Sequence, residues 1–139
     1  MRNNRIQKFS SSYEPLGVIG YNQANDNEGW SMEKKSTSTS SLKGFNQPLS
    51  ISIKDDNLII TDHGNFRILK YTMDGLFMGW IGGTIENPVL KWSTDEYQDE
   101  INYDNALLKA PYDAKYINNI LLVADGHRKH ILMLNPDDS

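Results

Sequence analysis

The chain has 139 residues, of which 38% are hydrophobic and 23% charged, a composition typical of a globular protein and not of a disordered one. Its net charge of −4 gives no overall attraction to a nucleic-acid backbone, and the absence of cysteine excludes disulfides and thiolate chemistry. No apolar run approaches transmembrane length, and the first residues contain no apolar core of a signal peptide.

Short apolar or alternating runs, separated by Gly, Asn and Asp, predict β-strands in three groups along the chain. The first group has two strands, at residues 5–9 and 16–19. The middle group has four strands, which we call a, b, c and d in chain order, at residues 49–54, 58–61, 66–71 and 76–80. The last group has three strands, at residues 112–117, 119–124 and 130–134.

The middle group predicts a four-stranded antiparallel sheet. In strand a, Leu49, Ile51 and Ile53 alternate with polar residues, a pattern that predicts burial of the apolar face. Strand b is continuously apolar, as expected of a strand that is buried on both faces. The turns between strands contain the Asp, Asn and Gly residues that favour tight hairpins, at residues 55–57 and 74–75.

The three groups are copies of one unit. Arg5, Arg67 and His130 occupy equivalent positions, separated by 62 and 63 residues. The sequence Gly-Val-Ile-Gly at 17–20 returns as Gly-Trp-Ile-Gly at 79–82, and Trp-Ser at 30–31 returns at 92–93. Because a fixed period of this kind indicates a repeat architecture, each group is expected to form one structural repeat.

The pattern of the middle copy resembles the NHL repeat. Its strand b ends in Asp62, the following segment reads Asn-x-Arg-Ile from Asn65, and the outer strand ends in Ile81-Gly82. The resemblance implies an all-β protein built of β-propeller blades, which are four-stranded antiparallel sheets. About two and a quarter NHL-like repeats are present, with long insertions between strand d and the next strand a.

The repeat divides the chain into five segments. These are a partial blade with strands c and d (1–20), an insertion (21–44), a complete blade (45–83), a second insertion (84–108) and a partial blade with strands a, b and c (109–139). Since a closed propeller needs about four blades or more, the sequence is expected to be part of a longer propeller or a protomer that closes by association. A signal preceding such an excerpt would place the protein outside the cytoplasm, so the sequence leaves its location open.

Four residues are predicted to stabilise the repeat: Asp62, Asn65, Arg67 and Asp125. The aspartates close strand b in two copies, where a carboxylate can accept hydrogen bonds from turn amides and pair with the arginine of strand c. The third copy departs from the pattern, because Arg128 stands at the asparagine position and His130 at the arginine position.

Trp30 and Trp92 are the candidate binding residues, since each lies within an insertion. One hypothesis is that their rings stack on a sugar, on a nucleic-acid base or on a partner's side chain. The alternative, which we favour, is that each ring fills the seam between two blades and anchors its insertion.

His63, His127 and His130 are weak candidates for a metal site, because their positions are not equivalent and no His-x-x-x-His spacing is repeated. Some propellers of the NHL family are metal-dependent lyases acting on amidated peptide precursors, with three convergent histidines, a tyrosine and an arginine. The chain offers no matching local motif, so we predict neither catalytic residues nor a cofactor, and part of such an enzyme is the alternative hypothesis.

The favoured function is therefore a non-enzymatic interaction or scaffolding module. Its expected partners are a protein, or neighbouring propeller blades, with a glycan as a further candidate, and the insertions are expected to form the binding face. Some NHL propellers bind RNA, but the acidic residues of the second insertion, at positions 95, 96, 99, 100 and 104, argue against a nucleic-acid partner.

Overall fold

A computed structural model of the chain describes residues 4–20, 29–32, 41–42 and 44–137. These residues form ten β-strands in three antiparallel sheets, with one 3₁₀ turn at His63–Asn65 and no α-helix among them. The strands are β1 (Ile6–Phe9), β2 (Pro15–Ile19), β3 (Pro48–Lys54), β4 (Asn57–Asp62), β5 (Arg67–Thr72), β6 (Phe77–Gly83), β7 (Pro88–Ser93), β8 (Pro111–Ile117), β9 (Ile120–Asp125) and β10 (His130–Leu134). None of the described segments is a helix long and apolar enough to cross a membrane.

The sheets follow the three groups of predicted strands. The first sheet contains β1 and β2, the central sheet has the order β3-β4-β5-β6-β7, and the third sheet has the order β10-β9-β8. Residues 21–28 and 33–40 of the first insertion, like residues 1–3, 43 and 138–139, lie outside the described residues. All nine predicted strands are present, so the all-β prediction is confirmed.

The expectation of four strands in the central sheet is wrong, because β7 adds a fifth. Thr84 and Asn87 close a tight turn after β6, with the Asn87 amide donating to Thr84 Oγ1 at 3.0 Å. The chain then reverses, and Val89 pairs with Gly82. Part of the second insertion, at residues 84–108, is therefore a strand of the sheet and not a loop.

A residue in the left-handed conformation stands just before strand c in every copy. Asn4, Phe66 and Lys129 have φ values of 43°, 56° and 56°. Such values are uncommon in residues other than glycine. The three copies therefore have the same backbone conformation at this position, although the three side chains are of different chemical types.

Two hydrophobic cores lie on opposite faces of the central sheet. Leu58 and Ile60 belong to the core shared with the first sheet, whereas Ile59 belongs to the core shared with the third. This division follows from the alternation of side chains along a strand. The prediction that strand b is buried on both faces is thus confirmed. The third sheet packs on the central one through β8, which contacts β3 and β4.

The prediction for strand a is wrong about which face is covered. Leu49, Ile51 and Ile53 are between 46% and 65% exposed. The polar face turns instead towards the third sheet, where Ser52 Oγ donates to the carbonyl oxygen of Ala114 at 2.7 Å. An alternating pattern shows that two faces differ, but the neighbouring sheet decides which face is buried, and the described residues do not cover these three side chains.

Candidate functional site

The buried carboxylate of Asp62 organises the turn between β4 and β5. Asp62 Oδ2 accepts from Arg67 Nε and from Asn65 Nδ2, both at 2.8 Å, and Oδ1 accepts from the Asn46 amide at 2.7 Å. Burial raises the pKa of Asp62, while Arg67, Asn65 and the Asn46 amide act in the opposite direction by favouring its ionised form. Arg67 also donates to the Gly44 carbonyl at 3.1 Å, which ties the turn to the end of the first insertion.

Asp125 has the equivalent place in the third sheet, but its partners differ. The amides of Lys109 and Ala110 donate to its two oxygens at 2.9 and 3.1 Å. Arg128 Nε lies 3.8 Å from Asp125 Oδ2, and Arg128 Nη2 donates to the Ala106 carbonyl oxygen at 3.2 Å. An arginine at the asparagine position of the repeat therefore takes the place that Arg67 has in the central sheet.

Trp30 and Trp92 have equivalent surroundings. A methyl group added to Gly17 would lie 2.9 Å from the Cβ atom of Trp30, and one added to Gly79 would lie 3.1 Å from the Cβ atom of Trp92. A lysine ammonium stands near each ring, Lys8 at 5.4 Å from the centre of Trp30. The corresponding distance from Lys70 to Trp92 is 5.5 Å. Glycine in strand d leaves the space in which the tryptophan lies, and the lysine of strand c adds a cation–π contact.

Each indole N–H group is bonded to the neighbouring sheet. Trp30 Nε1 donates to the Met73 carbonyl of the central sheet at 2.7 Å. Trp92 Nε1 donates to the Tyr116 hydroxyl of the third sheet at 3.2 Å. Both rings are partly buried and pack against a hydrophobic core, so each lies between two sheets of the structure.

Tyr116 extends this contact to Asp137, to which its hydroxyl donates at 2.5 Å. Burial, together with the Asp137 carboxylate, raises the pKa of Tyr116 above its ordinary value of 10.0. The phenol therefore stays protonated and keeps its role as a donor between β8 and the segment that follows β10.

The three histidines do not converge. His63 Nδ1 donates to the Pro111 carbonyl at 3.1 Å, His127 is hydrogen-bonded to the Tyr103 hydroxyl, and His130 is exposed at the start of β10. Within the described residues, no three histidine, aspartate or glutamate side chains form a group that could hold a metal ion. His63 and His127 do line a common cavity, which His130 does not reach.

Two open cavities flank the turn between β4 and β5. The first, which we call the acidic cavity, has a volume of about 480 Å³ and includes the carboxylates Glu96, Asp99 and Glu100. The second, which we call the histidine cavity, has a volume of about 550 Å³. Gly64 and Phe66 line both, so the two cavities are neighbours on one face of the molecule.

The second insertion supplies side chains to both cavities, with Tyr97 in the acidic cavity and Tyr103 in the histidine cavity. The sequence predicts that the insertions form a binding face, but none of its motifs points to Tyr97, Tyr103, Lys109 or Tyr112. Three tyrosines within residues 97–112 were the available signal, because aromatic residues are enriched at binding surfaces.

Comparison with family models and with curated protein sequences found no match for this chain.

Proposed function

We propose that the three sheets are successive blades of an NHL-type β-propeller and that the chain is a non-enzymatic module that binds a protein partner. Stacking of the three sheets through their faces supports the blade arrangement. So do two sets of uncovered apolar side chains: Leu49, Ile51 and Ile53 on the face of β3 that the two-stranded first sheet leaves open, and Ile131 and Met133 on the third sheet. Further strands of the first blade would cover the first set, and a further sheet of the same kind would cover the second.

One observation carries the binding function: the second insertion and the turn between β4 and β5 form a concave face with two adjoining cavities. Loops on a rigid β-scaffold are the usual place for recognition, because they can vary while the sheets keep their geometry. Tyr97 and Tyr103 contribute amphipathic rings of the type that dominates protein interfaces.

The charge of the acidic cavity indicates the chemistry of the partner. Glu96, Asp99 and Glu100 are exposed, and within the described residues none of them forms an ion pair with a lysine or an arginine. Among the described residues that line this cavity, the one basic residue is Arg67, whose Nε is already engaged by Asp62. We therefore infer that the partner presents a lysine- or arginine-containing segment.

Selection of peptides from a random displayed library by the purified chain tests this function. We expect enrichment of peptides containing lysine or arginine, and about tenfold weaker binding of a selected peptide to the double variant Glu96→Gln, Glu100→Gln. Asp56→Asn is the matched control, since it removes a carboxylate from the turn between β3 and β4, at the opposite end of the strands. The proposal is contradicted if the selected peptides contain no basic residues, or if Asp56→Asn weakens peptide binding as much as the double variant does.

The blade arrangement has its own test. An experimental structure of the native protein is expected to show a disc in which β3 and β8 are the innermost strands of their sheets. Two sheets closed face to face as a sandwich, with β3 at the outer rim, would contradict it.

A further inference from the structure

The histidine cavity differs from its neighbour in the charge of its lining. Ten of the residues that the structure describes line it, and neither aspartate nor glutamate is among those ten. The side chains that can donate hydrogen bonds are one lysine, two histidines, two tyrosines and a glutamine, namely Lys109, His63, His127, Tyr103, Tyr112 and Gln47. A cavity with this inventory can donate to an anion from several directions.

Lys109 supplies the permanent positive charge of the cavity. Its ammonium group lies 5.1 Å from the centre of the Tyr103 ring and forms no ion pair with any described carboxylate. The nearby carboxylate of Asp125 is buried and is already engaged by the amides of Lys109 and Ala110. The charge of the ammonium group is therefore left for a ligand to neutralise.

His63 is held in a defined orientation. A carbonyl oxygen can only accept, so the contact with Pro111 requires that His63 Nδ1 carry the hydrogen. The ring also packs on Tyr112, with 5.1 Å between the ring centres. These two contacts leave Nε2 as the nitrogen available to a ligand, and Nε2 becomes a donor when the ring is protonated.

His127 and Tyr103 form a second donor group. The Tyr103 hydroxyl is hydrogen-bonded to the His127 ring, and the ring centres lie 4.9 Å apart. Because Tyr103 comes from the second insertion and His127 from the turn between β9 and β10, the pair joins the insertion to the third sheet beside the cavity.

We propose that the histidine cavity binds an oxyanion, a carboxylate or a phosphoryl group, on the partner whose basic segment occupies the acidic cavity. This inference rests on the proposed function for the identity of the partner, but the cavity's anion binding is independent of it. Since the two cavities share Gly64 and Phe66, a peptide that crosses this turn would carry opposite charges on its two sides.

Titration of the full chain with acetate and, separately, with inorganic phosphate tests the proposal. The readout is the NMR resonances of the three histidine rings, recorded at constant pH. We expect saturable shifts for His63 and His127, whereas His130, which lies outside the cavity, serves as the internal control. Stronger binding of phosphate would identify a phosphoryl group, and stronger binding of acetate a carboxylate.

Variants separate this site from general charge effects and from the acidic cavity. Lys109→Met is expected to weaken anion binding about tenfold, and Lys115→Met, which removes an exposed lysine of β8 outside the cavity, to leave it unchanged. Tyr103→Phe is a second variant, which keeps the ring and removes one donor, and it is expected to weaken binding less. Equal shifts of all three histidines, or binding unaffected by both Lys109→Met and Tyr103→Phe, would overturn the proposal.

The two proposals fail separately. The double variant Glu96→Gln, Glu100→Gln is expected to bind acetate and phosphate as the unmodified chain does. If the chain binds anions normally but selects no basic peptide, the proposed partner is contradicted and the oxyanion site is supported.

Discussion

Arg67 Nε and Asp62 Oδ2 lie 2.8 Å apart in a pair of side chains that are 6% and 0% exposed. The equivalent pair of the third sheet, Arg128 and Asp125, is looser, with 3.8 Å between the corresponding atoms and an arginine side chain that is 28% exposed. The equivalent aspartates of the two sheets thus form ion pairs of different burial, with arginines from different repeat positions, which makes them a useful comparison.

Arg67→Met is expected to lower the free energy of unfolding by about 3 kcal/mol, because it leaves a buried carboxylate without its cation. Arg128→Met is expected to cost about 1 kcal/mol, since solvent reaches that arginine and the amides of Lys109 and Ala110 still hold Asp125. Urea unfolding of both variants measures the difference. An equal loss of stability in the two would show that burial does not control the strength of these pairs.

Trp92→Ala is expected to lower the free energy of unfolding by about 2 to 3 kcal/mol, because the indole packs on the core between the central and third sheets. Trp92→Phe, which keeps an aromatic ring and loses the N–H donor to Tyr116, should cost less. Thermal melting followed by circular dichroism provides the measurement. Unchanged melting combined with lost partner binding would favour the stacking hypothesis instead.

Tyr116 predicts a specific loss of stability in alkali. Its pKa is higher in the folded chain than in the unfolded one, so the folded state holds this proton more tightly. The stability from Tyr116 is then fully present below the ordinary tyrosine pKa of 10.0 and is lost as the pH rises through the folded pKa. The stability advantage of the unmodified chain over Tyr116→Phe should therefore shrink above about pH 10, as measured by urea unfolding across this range. A constant difference would contradict the assignment.

The attachment of β7 can be tested by charge substitution on its two faces. Val89 is partly buried against the core shared by the first and central sheets, whereas its neighbour Leu90 is 44% exposed. Val89→Asp should release β7 and speed hydrogen exchange of the β6 amides, because a buried unpaired carboxylate is costly. Leu90→Asp carries the same charge on the exposed face and should leave exchange unchanged. Equal exchange in the two variants would mean that β7 is not held by packing.

The strands were predictable because they depend on local patterns: apolar alternation, turn residues and the repeated register from Arg5 to Arg67 to His130. β7 was not predicted, because Leu90 and Lys91 in its middle are both exposed and the segment lacks a clear period of two. Which face of β3 is covered could not be predicted from the sequence either, since it depends on where the third sheet packs.

The site was less predictable than the fold. The ion pair of Asp62 with Arg67 followed from the repeat, but the substitute role of Arg128 needed the actual course of the chain around Asp125. Tyr103 and His127 are 24 residues apart and meet only because the second insertion folds back over the third sheet. No periodicity within the insertion encodes that contact.

The fifth strand also changes which backbone groups of the central sheet face solvent. A bare edge strand is a template on which another chain can add a strand and begin to aggregate. β7 covers the edge of β6 and begins with Pro88, which lacks an N–H donor, and it carries the exposed charge of Lys91. β10 has no strand beyond it among the described residues and exposes Ile131 and Met133. Unwanted association of these sheets by strand addition should therefore begin at β10 and spare β7.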